Sequence, residues 1–348
     1  MQKQVFSSLQ VGFYSRRQSR AGLICAGAPI LCTIGARMVS TRTAAISSIA
    51  LLSLVWLFAE SALAAAPDVT ALIRQGRQAS MEGDQQGALA QFQKALEQSP
   101  NSYEAHGGMA TTLDLLGRYG EAQRHIQKML ELAPDADAKT QAVRTMAISY
   151  AFECKAADAA NYEKQVFDSH IAAKKYTDAA ETADELARIY LECGNLDQAY
   201  DWYQRGYNTA LEQPGMSAHD KDLWGFRWEA GQARVAARRG EAEVAEKELA
   251  AARAFLDRLQ NPQQELFFPY LSGYVHFYAG NYTAAVADLE KANPKDPFVL
   301  ELLARAYEKS GDKSKADDTC RTILKFGMHN IANAFARPAA KKMLQQAG

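Results

Sequence analysis

The side chains best suited to chemistry in this sequence are tyrosines and arginines at helical spacing. Tyrosine recurs every four residues at Tyr270, Tyr274 and Tyr278, and Arg234 and Arg238 are separated by the same interval. Residues four apart lie on one face of an α-helix. Tyrosine offers a large, stiff contact surface with a hydroxyl, and arginine grips a carboxylate through two hydrogen bonds. Together they suit the binding of an extended peptide.

Catalytic and metal-binding patterns are missing from the sequence. The six histidines are His106, His125, His170, His219, His276 and His329. None has another histidine, a cysteine or a carboxylate at the spacing of a zinc site. The sequence also lacks G-x-S-x-G, a phosphate-binding glycine loop and a dinucleotide fingerprint. We therefore predict no catalytic residue, no metal and no cofactor, and a chain that is not an enzyme.

The N-terminal region contains an apolar run, "ISSIALLSLVWLF" at 46–58, followed by Ala62 and Ala64 in the A-x-A arrangement. This pattern predicts a secretory signal peptide over residues 38–64, cut after Ala64. An uncleaved membrane anchor is the alternative. Thirteen residues span only about 20 Å as a helix, which is less than the ~30 Å hydrocarbon core.

Residues 1–37 fit neither a signal peptide nor an anchor. They are basic, and Met38 would start a signal peptide of ordinary length. We interpret them as an upstream extension that the choice of start codon adds. The expected product is an exported protein, periplasmic or associated with the cell envelope if the source is bacterial.

The charge balance argues against nucleic acid as a partner. The chain is 48% hydrophobic and 23% charged, and without residues 1–64 it keeps 33 basic and 39 acidic residues, a formal net charge of −6. Nucleic-acid binding depends on an excess of positive charge. Membrane contact is expected only through the N-terminal segment, if that segment stays uncleaved.

A glycine followed five residues later by an alanine recurs along the chain and indicates repeated helix hairpins. The pairs are Gly83/Ala88, Gly117/Ala122, Gly194/Ala199, Gly240/Ala245, Gly280/Ala285 and Gly311/Ala316, and Cys154/Ala159 is a seventh pair with cysteine in the glycine position. Seven residues before each turn stands another small residue: Gly76, Ala110, Ala147, Ala187, Ala233, Gly273 or Ala304. Glycine ends a helix in the left-handed conformation. Alanine or glycine then lets the returning helix cross closely.

This pattern resembles the tetratricopeptide repeat (TPR). The stretch "ALIRQGRQASMEGDQQGALAQFQKALEQSP" at 71–100 carries the family's Gly76, Gly83, Ala88, Phe92, Ala95, Leu96 and Pro100, and Pro134 repeats Pro100 after 34 residues. The resemblance implies an all-α, right-handed superhelical solenoid of about seven antiparallel hairpins over residues 69–330. Residues 331–348 are expected to form a C-terminal capping helix and tail, because a stacked solenoid leaves its final apolar face uncovered.

In a TPR stack the first helix of each hairpin lines a concave groove. The tyrosines and arginines lie on these first helices and are expected to face the groove. Positions ten, six and two before each turn should face this groove. The candidate peptide-binding residues selected in this way are Arg188, Arg234, Arg238, Tyr270, Tyr274, Tyr278 and Arg305. The alternative is that the tyrosines pack against the next helix and the arginines are solvated. The Lys/Asn set with which some TPR domains hold a C-terminal carboxylate is absent, since Ile73, Arg77, Gly107 and Thr111 stand at those places.

Cys154 and Cys193 lie near equivalent turns of adjacent repeats, and Cys320 lies far from both. We interpret Cys154 and Cys193 as buried structural thiols, with a disulfide or a reactive thiol as the alternative.

The function that the sequence predicts is a non-catalytic TPR scaffold that binds a protein or peptide in its concave groove. An accessory or sensor subunit of an envelope enzyme complex, and a scaffold tethered to the membrane by an uncleaved N-terminal helix, are the alternatives.

Overall fold

The structure, a computed structural model, describes residues 68–347, and every regular element in that range is a helix. The predicted upstream extension at 1–37 and the predicted signal peptide at 38–64 lie outside the described residues. In chain order the helices are α1 (Val69–Met81), α2 (Gln85–Gln98), α3 (Tyr103–Leu116), α4 (Tyr119–Leu132), α5 (Ala136–Phe152), α6 (Ala156–Ala172), α7 (Tyr176–Glu192), α8 (Leu196–Leu211), α9 (Ala218–Arg239), α10 (Ala242–Leu259), α11 (Pro262–Glu265), α12 (Phe268–Tyr278), α13 (Tyr282–Leu289), α14 (Pro297–Ser310), α15 (Lys313–Ile323) and α16 (Ile331–Ala347).

Pairs of these helices form a stack of antiparallel hairpins, which confirms the predicted fold class. Hairpins one to seven are α1–α2, α3–α4, α5–α6, α7–α8, α9–α10, α12–α13 and α14–α15. Each second helix also packs against the first helix of the following hairpin. The core is therefore a continuous layer between stacked hairpins, as expected of a repeat protein whose units cannot bury their apolar faces alone.

The hairpin turns have the backbone that the glycine pattern predicts. The six turn glycines have φ between 76° and 94°, and Cys154 adopts φ 53° in the turn of hairpin three. A left-handed residue at this position ends the first helix and satisfies its last carbonyls. Cysteine can occupy the position only against the steric cost that a Cβ adds there.

The small residues before and after each turn form the helix contact inside each hairpin. The seven alanines after the turns are all 3% exposed or less, and so are the five alanines that precede turns. Gly76 and Gly273, which take the same place in hairpins one and six, are also buried. The predicted close crossing of the paired helices is therefore confirmed.

Phe92 shows how this contact continues from one hairpin into the next. Its ring lies against two glycines, Gly76 in its own hairpin and Gly108 in the following one. A Cβ on Gly76 would lie 2.8 Å from the ring, and a Cβ on Gly108 would lie 2.2 Å from it. The large side chain fills the space that the two missing side chains leave.

Hairpin five is longer than its neighbours. Helix α9 has 22 residues and α10 has 18, and residues 212–217 form the connection before them. Ser217 caps α9 by accepting a hydrogen bond of 3.0 Å from the Asp220 backbone N–H. The irregular spacing of this repeat in the sequence thus comes from both longer helices and a loop.

Cys154 and Cys193 form a disulfide, so the interpretation of these residues as free thiols is wrong. Their Cα atoms are 5.7 Å apart. Cys154 lies in the turn of hairpin three and Cys193 caps the end of α7. Stacking brings equivalent turns of successive hairpins together, which places the two sulfurs within bonding distance. Cys320 is a buried free thiol.

Glu163 takes a place in the core that belongs to an apolar residue in most of the hairpins. It lies nine residues after the turn of hairpin three and is completely buried. Burial raises the pKa of its carboxyl well above the usual range, and the nearby Glu185 carboxylate raises it further, while Arg144 opposes both effects. Burial thus favours the neutral form of the Glu163 carboxyl.

The C-terminal helix α16 does more than the predicted cap. It packs against α14 and α15 of hairpin seven, as a capping helix should, and it also contacts α3, α5 and α7. These three are the first helices of hairpins two, three and four. The end of the chain therefore lies on the face of the stack where a groove is expected.

We expect Gly108→Ala to destabilise the protein by about 2 kcal/mol, because the new methyl would overlap the Phe92 ring in a packed core. The matched control is Gly120→Ala in α4, where a Cβ would meet nothing within 4 Å. That change should stabilise the protein by roughly 0.5–1 kcal/mol through helix propensity. Urea denaturation measures both. A neutral Gly108→Ala would show that Phe92 does not depend on this close approach.

Candidate functional site

The seven residues predicted from the sequence come together on the first helices of hairpins four to seven. We call the surface formed by the first helices of all hairpins the inner face. Arg188 lies on α7, Arg234 and Arg238 on α9, the three tyrosines on α12 and Arg305 on α14. The group formed by Arg188, Arg234, Arg238, Tyr270, Tyr274, Tyr278 and Arg305 is called the inner Arg–Tyr cluster below. Its role in peptide binding stays a prediction.

The three tyrosines of α12 form a continuous aromatic ladder. The ring centroids of Tyr270 and Tyr274 are 6.1 Å apart at 73°, and those of Tyr274 and Tyr278 are 4.8 Å apart at 44°. The four-residue spacing places the rings one above another along the helix. Tyr270 and Tyr274 are buried, at 8% and 2% exposed, whereas Tyr278 at the end of the ladder is only half-buried.

Arg188 fixes the buried end of this ladder. Its guanidinium donates a hydrogen bond to the Tyr270 hydroxyl and another of 2.7 Å to the Glu192 carboxylate. The guanidinium carbon also lies 3.7 Å from the centroid of the Phe298 ring. A guanidinium held by an aromatic face, a hydroxyl and a carboxylate is fully partnered and serves as a support for Tyr270.

The exposed end of the cluster is an edge made of Tyr278, Arg238 and Arg305. The guanidinium carbon of Arg238 lies 5.3 Å from the Tyr278 ring centroid, and that of Arg305 lies 5.7 Å from it. Arg305 also donates a hydrogen bond of 3.4 Å to the Tyr278 hydroxyl. Its side chain is 33% exposed, and that of Arg238 is 18% exposed. This edge is where the cluster can meet another molecule.

Two members of the cluster carry buried polar atoms without a hydrogen bond. These are the Tyr274 hydroxyl and Nε of Arg234. Arg234 donates one long hydrogen bond, 3.3 Å, to the Tyr203 hydroxyl. Burial raises the pKa of Tyr274 well above its ordinary value, with Tyr278 and Glu192 adding to the effect. Both residues therefore lie behind the accessible edge.

Carboxylates balance much of the positive charge of the cluster. Arg238 lies 3.7 Å from Glu192, and Arg305 lies 3.5 Å from Glu301. Burial raises the pKa of Glu301, against the opposing effect of Arg305. Burial also raises the pKa of Asp296 to about 7, opposed by the Phe298 backbone N–H and by Arg188. A ligand carboxylate at the edge would share arginines that already have partners.

Two residues essential to this arrangement were not selected from the sequence. Glu192 lies two residues before Gly194, at one of the positions expected to face the groove, but it was not among the candidate residues. Phe298 lies thirteen residues before Gly311, one helical turn beyond the last position considered. Extending the four-residue series by one turn reaches Pro297, so Phe298 lies one residue off that series.

The search for metal-site spacings in the sequence also missed two histidine contacts. Nδ1 of His106 lies 2.9 Å from Nδ1 of His125, and Nε2 of His329 lies 2.8 Å from Oδ2 of Asp114. The second pair joins residues 215 positions apart. Within residues 68–347, no group of three or more His, Cys, Asp or Glu side chains could hold a metal ion. In the same range no helix is both long and apolar enough to cross a bilayer.

Comparison with known proteins agrees with this architecture. Two family models described as tetratricopeptide repeat match the chain, one over residues 79–146 and one over residues 182–215. These two stretches of the chain are therefore similar to tetratricopeptide repeats. A TPR repeat-containing protein of Methanocaldococcus jannaschii is 29% identical over 143 residues, which are 40% of this chain and 24% of the relative. The chain thus spans about a quarter of that relative's length.

Solved structures are also similar to this chain at low sequence identity. A tetratricopeptide repeat protein from Parabacteroides merdae is 15% identical, with a TM-score of 0.47 over 80% of this chain and 97% of the other. The Rap conjugation gene regulator of plasmid pLS20, solved in complex with the Phr* peptide, is 15% identical, with a TM-score of 0.43 over 80% of this chain and 75% of the other.

The two buried tyrosines of this protein should respond differently to loss of the hydroxyl. Tyr270→Phe removes a hydrogen bond to a buried guanidinium and should cost about 2 kcal/mol. Tyr274→Phe removes a buried hydroxyl that has no well-formed hydrogen bond and only a loose interaction with Arg238, and it should be neutral or stabilising by up to about 1 kcal/mol. Chemical denaturation of the two variants compares them at equal ring packing. Equal losses would show that the Tyr274 hydroxyl is bonded in solution.

Proposed function

We propose that this protein is an exported, non-catalytic TPR scaffold that binds a protein or peptide partner through its inner face. The observation that carries the proposal is the edge of the inner Arg–Tyr cluster. There Tyr278, Arg238 and Arg305 are held by neighbouring helices and stay partly open to solvent. Aromatic and arginine side chains fixed before binding lose little conformational freedom when a partner arrives.

The buried members of the cluster have a supporting role in this proposal. Tyr270, Tyr274, Arg188 and Arg234 hold the edge in place from behind. Replacing Tyr274 with alanine would open a cavity and disturb α12, so lost binding in that variant would not identify a contact residue. The exposed edge is the correct target for mutation, because its side chains can be removed at little cost to packing.

Export is part of the same proposal and is supported by the Cys154–Cys193 disulfide. Disulfides persist in oxidising compartments such as the periplasm and the extracellular space, and they are rare where glutathione and thioredoxin keep thiols reduced. The disulfide joins the turns of hairpins three and four, and the predicted signal peptide supplies the route.

Site-specific photo-crosslinking in the source organism tests the binding surface. A photoreactive phenylalanine analogue at position 278 should give partner adducts. The same analogue at position 204, exposed on the second helix α8, should give none. In the position-278 protein, Arg305→Ala should reduce the adduct yield at least five-fold, because it removes one wall of the edge.

The matched control for Arg305→Ala is Arg321→Ala. Both arginines form ion pairs within their own helix, but Arg321 lies on the second helix of hairpin seven. Arg321→Ala should leave the adduct yield unchanged. Adducts at position 204 in place of 278, or an equal yield in the Arg305→Ala protein, would contradict the assignment of the inner face.

Export can be tested on the protein recovered from its natural source. Intact mass and N-terminal sequencing should give a start near Ala65, and thiol titration in denaturant should find one free thiol, that of Cys320. A chain that keeps residues 46–58 would instead be the tethered scaffold. Three free thiols would contradict an oxidising location.

A further inference from the structure

The chain returns across the stack after hairpin seven. The Lys325 carbonyl oxygen lies 3.0 Å from the position that a Cβ on Gly83 would take, in the turn of hairpin one. The Ser80 hydroxyl donates a hydrogen bond of 3.3 Å to the Gly327 carbonyl. A Cβ on Gly327 would lie only 1.7 Å from the Ser80 carbonyl oxygen, so only glycine fits there. Lys325 and Gly327 therefore make close main-chain contact with hairpin one.

Two basic residues of α16 then bind the end of α3. Arg337 donates hydrogen bonds of 3.3 and 3.1 Å to the Leu115 carbonyl, and Lys341 donates one of 3.2 Å to the Leu116 carbonyl. The last carbonyls of a helix have no partner within the helix and carry its partial negative charge. Arg337 and Lys341 are four residues apart, so both reach this end from one face of α16.

These basic residues are not held by carboxylates. The ion pairs among residues 68–347 include neither Arg337 nor Lys341, and the remaining Arg337 hydrogen bonds go to the carbonyls of Leu324 and Phe326, at 2.8 and 2.9 Å. Burial lowers the pKa of Arg337 to about 10, and burial with the nearby Arg337 lowers that of Lys341. The interaction thus depends on positive charge and main-chain geometry, which another basic helix could supply.

An apolar and small-residue contact completes the attachment. Ile331 and Ala334 join the buried cluster that includes Leu115, Ile148 and Phe152. The Phe335 ring stacks on Phe298 with centroids 6.5 Å apart, next to the inner Arg–Tyr cluster. His329 pairs with Asp114 at the same place. The inner face of hairpins two to four therefore already holds a helix, which presents a basic pair and small or apolar residues to it.

We propose that the inner face of hairpins two to four is a receiving surface for a partner helix with a basic pair four residues apart and small residues on the same side. Residues 324–347 occupy this surface in cis until such a helix displaces them. The proposal rests on the proposed function of the inner face as a protein-binding surface. It names the partner's chemistry and the contact that the partner must replace.

The covalent link gives the resident segment an advantage. A short tether holds a ligand at an effective concentration on the order of millimolar. A partner binds only the fraction of molecules in which the segment is away, and its apparent affinity falls by that fraction. Weakening the anchors of the resident segment should therefore strengthen the binding of an added helix.

A peptide of residues 324–347, labelled with fluorescein, is the probe for this surface. Fluorescence anisotropy would compare the mature wild-type chain with the Arg337→Gln/Lys341→Ala and Lys342→Ala variants. We expect the double variant to bind the peptide at least ten-fold more tightly than wild type. Lys342→Ala should match wild type, because Lys342 is exposed beside Lys341. A peptide with the Arg337→Gln/Lys341→Ala substitutions should lose binding. A peptide with the Lys342→Ala substitution should keep it.

Hydrogen exchange on the same proteins shows whether the segment moves by itself. Amides of α16 should exchange at least ten-fold faster in the double variant than in wild type, while those of hairpin five stay unchanged. Failure of the peptide to bind a folded double variant, or exchange of α16 only together with the whole chain, would overturn the proposal. Wild-type dimers that the peptide dissociates would also overturn it, because the segment would then lie on a second copy.

These outcomes are separate from those of the crosslinking experiment. If the peptide binds but position 278 gives no adducts, the proposed receiving surface is supported and the proposed partner contact at the Arg–Tyr edge is contradicted. If position 278 gives adducts but the peptide does not bind, the contact at the Arg–Tyr edge is supported and the receiving surface is contradicted.

Discussion

The structure depends on the close crossing of two helices inside each hairpin. At each crossing an alanine or glycine on one helix faces an alanine on the other, and all of these positions are buried. Short side chains let the helix backbones approach, and larger residues such as Phe92 then fill the space on either side. Since each hairpin is closed in the same way, the hairpins stack and their first helices form one face. The inner Arg–Tyr cluster exists because this stacking aligns four separate helices.

The sequence predicted the parts of the fold that local geometry determines. Each turn is a short-range event in which a left-handed residue ends one helix, and the paired small residues lie within twelve positions of each other. Cys154 shows the strength of the pattern, because it takes the left-handed conformation in place of glycine. The interpretation of Cys154 and Cys193 as buried thiols was wrong, and the structure shows the disulfide that was only the alternative. Whether two turns come within bonding distance depends on how successive hairpins stack, and the spacing of Cys154 and Cys193 in the chain does not contain that information.

The sequence predicted which residues lie together in the candidate site, but it did not predict how exposed each of them is. Groove-facing positions brought the seven residues to one place, but the sequence did not show that Tyr274 is covered and Tyr278 is accessible. They differ because α12 lies between α9 and α14, so that the middle of the ladder is covered and its end is open. Phe298 and Glu192 decide how Arg188 is held. Glu192 lies on the same helix as Arg188, whereas Phe298 comes from hairpin seven. A residue's accessibility in a solenoid is therefore set by its neighbours two or three helices away.

The C-terminal segment shows why the end of a solenoid cannot be read from its repeats. A capping helix needs only to cover the last hairpin, and α16 does this where Ala336 and Ala340 pack near Leu300 and Cys320. Its opposite side contacts hairpins two to four, far earlier in the chain, through partners that no repeat pattern specifies. One helix thus meets two demands, an apolar face at the end of the stack and unpaired carbonyls at the end of α3. Displacing it would expose both, so a partner can open this surface only by supplying a helix that satisfies both in its turn. Because of this requirement, α16 would exclude helices that lack either the apolar face or the basic pair.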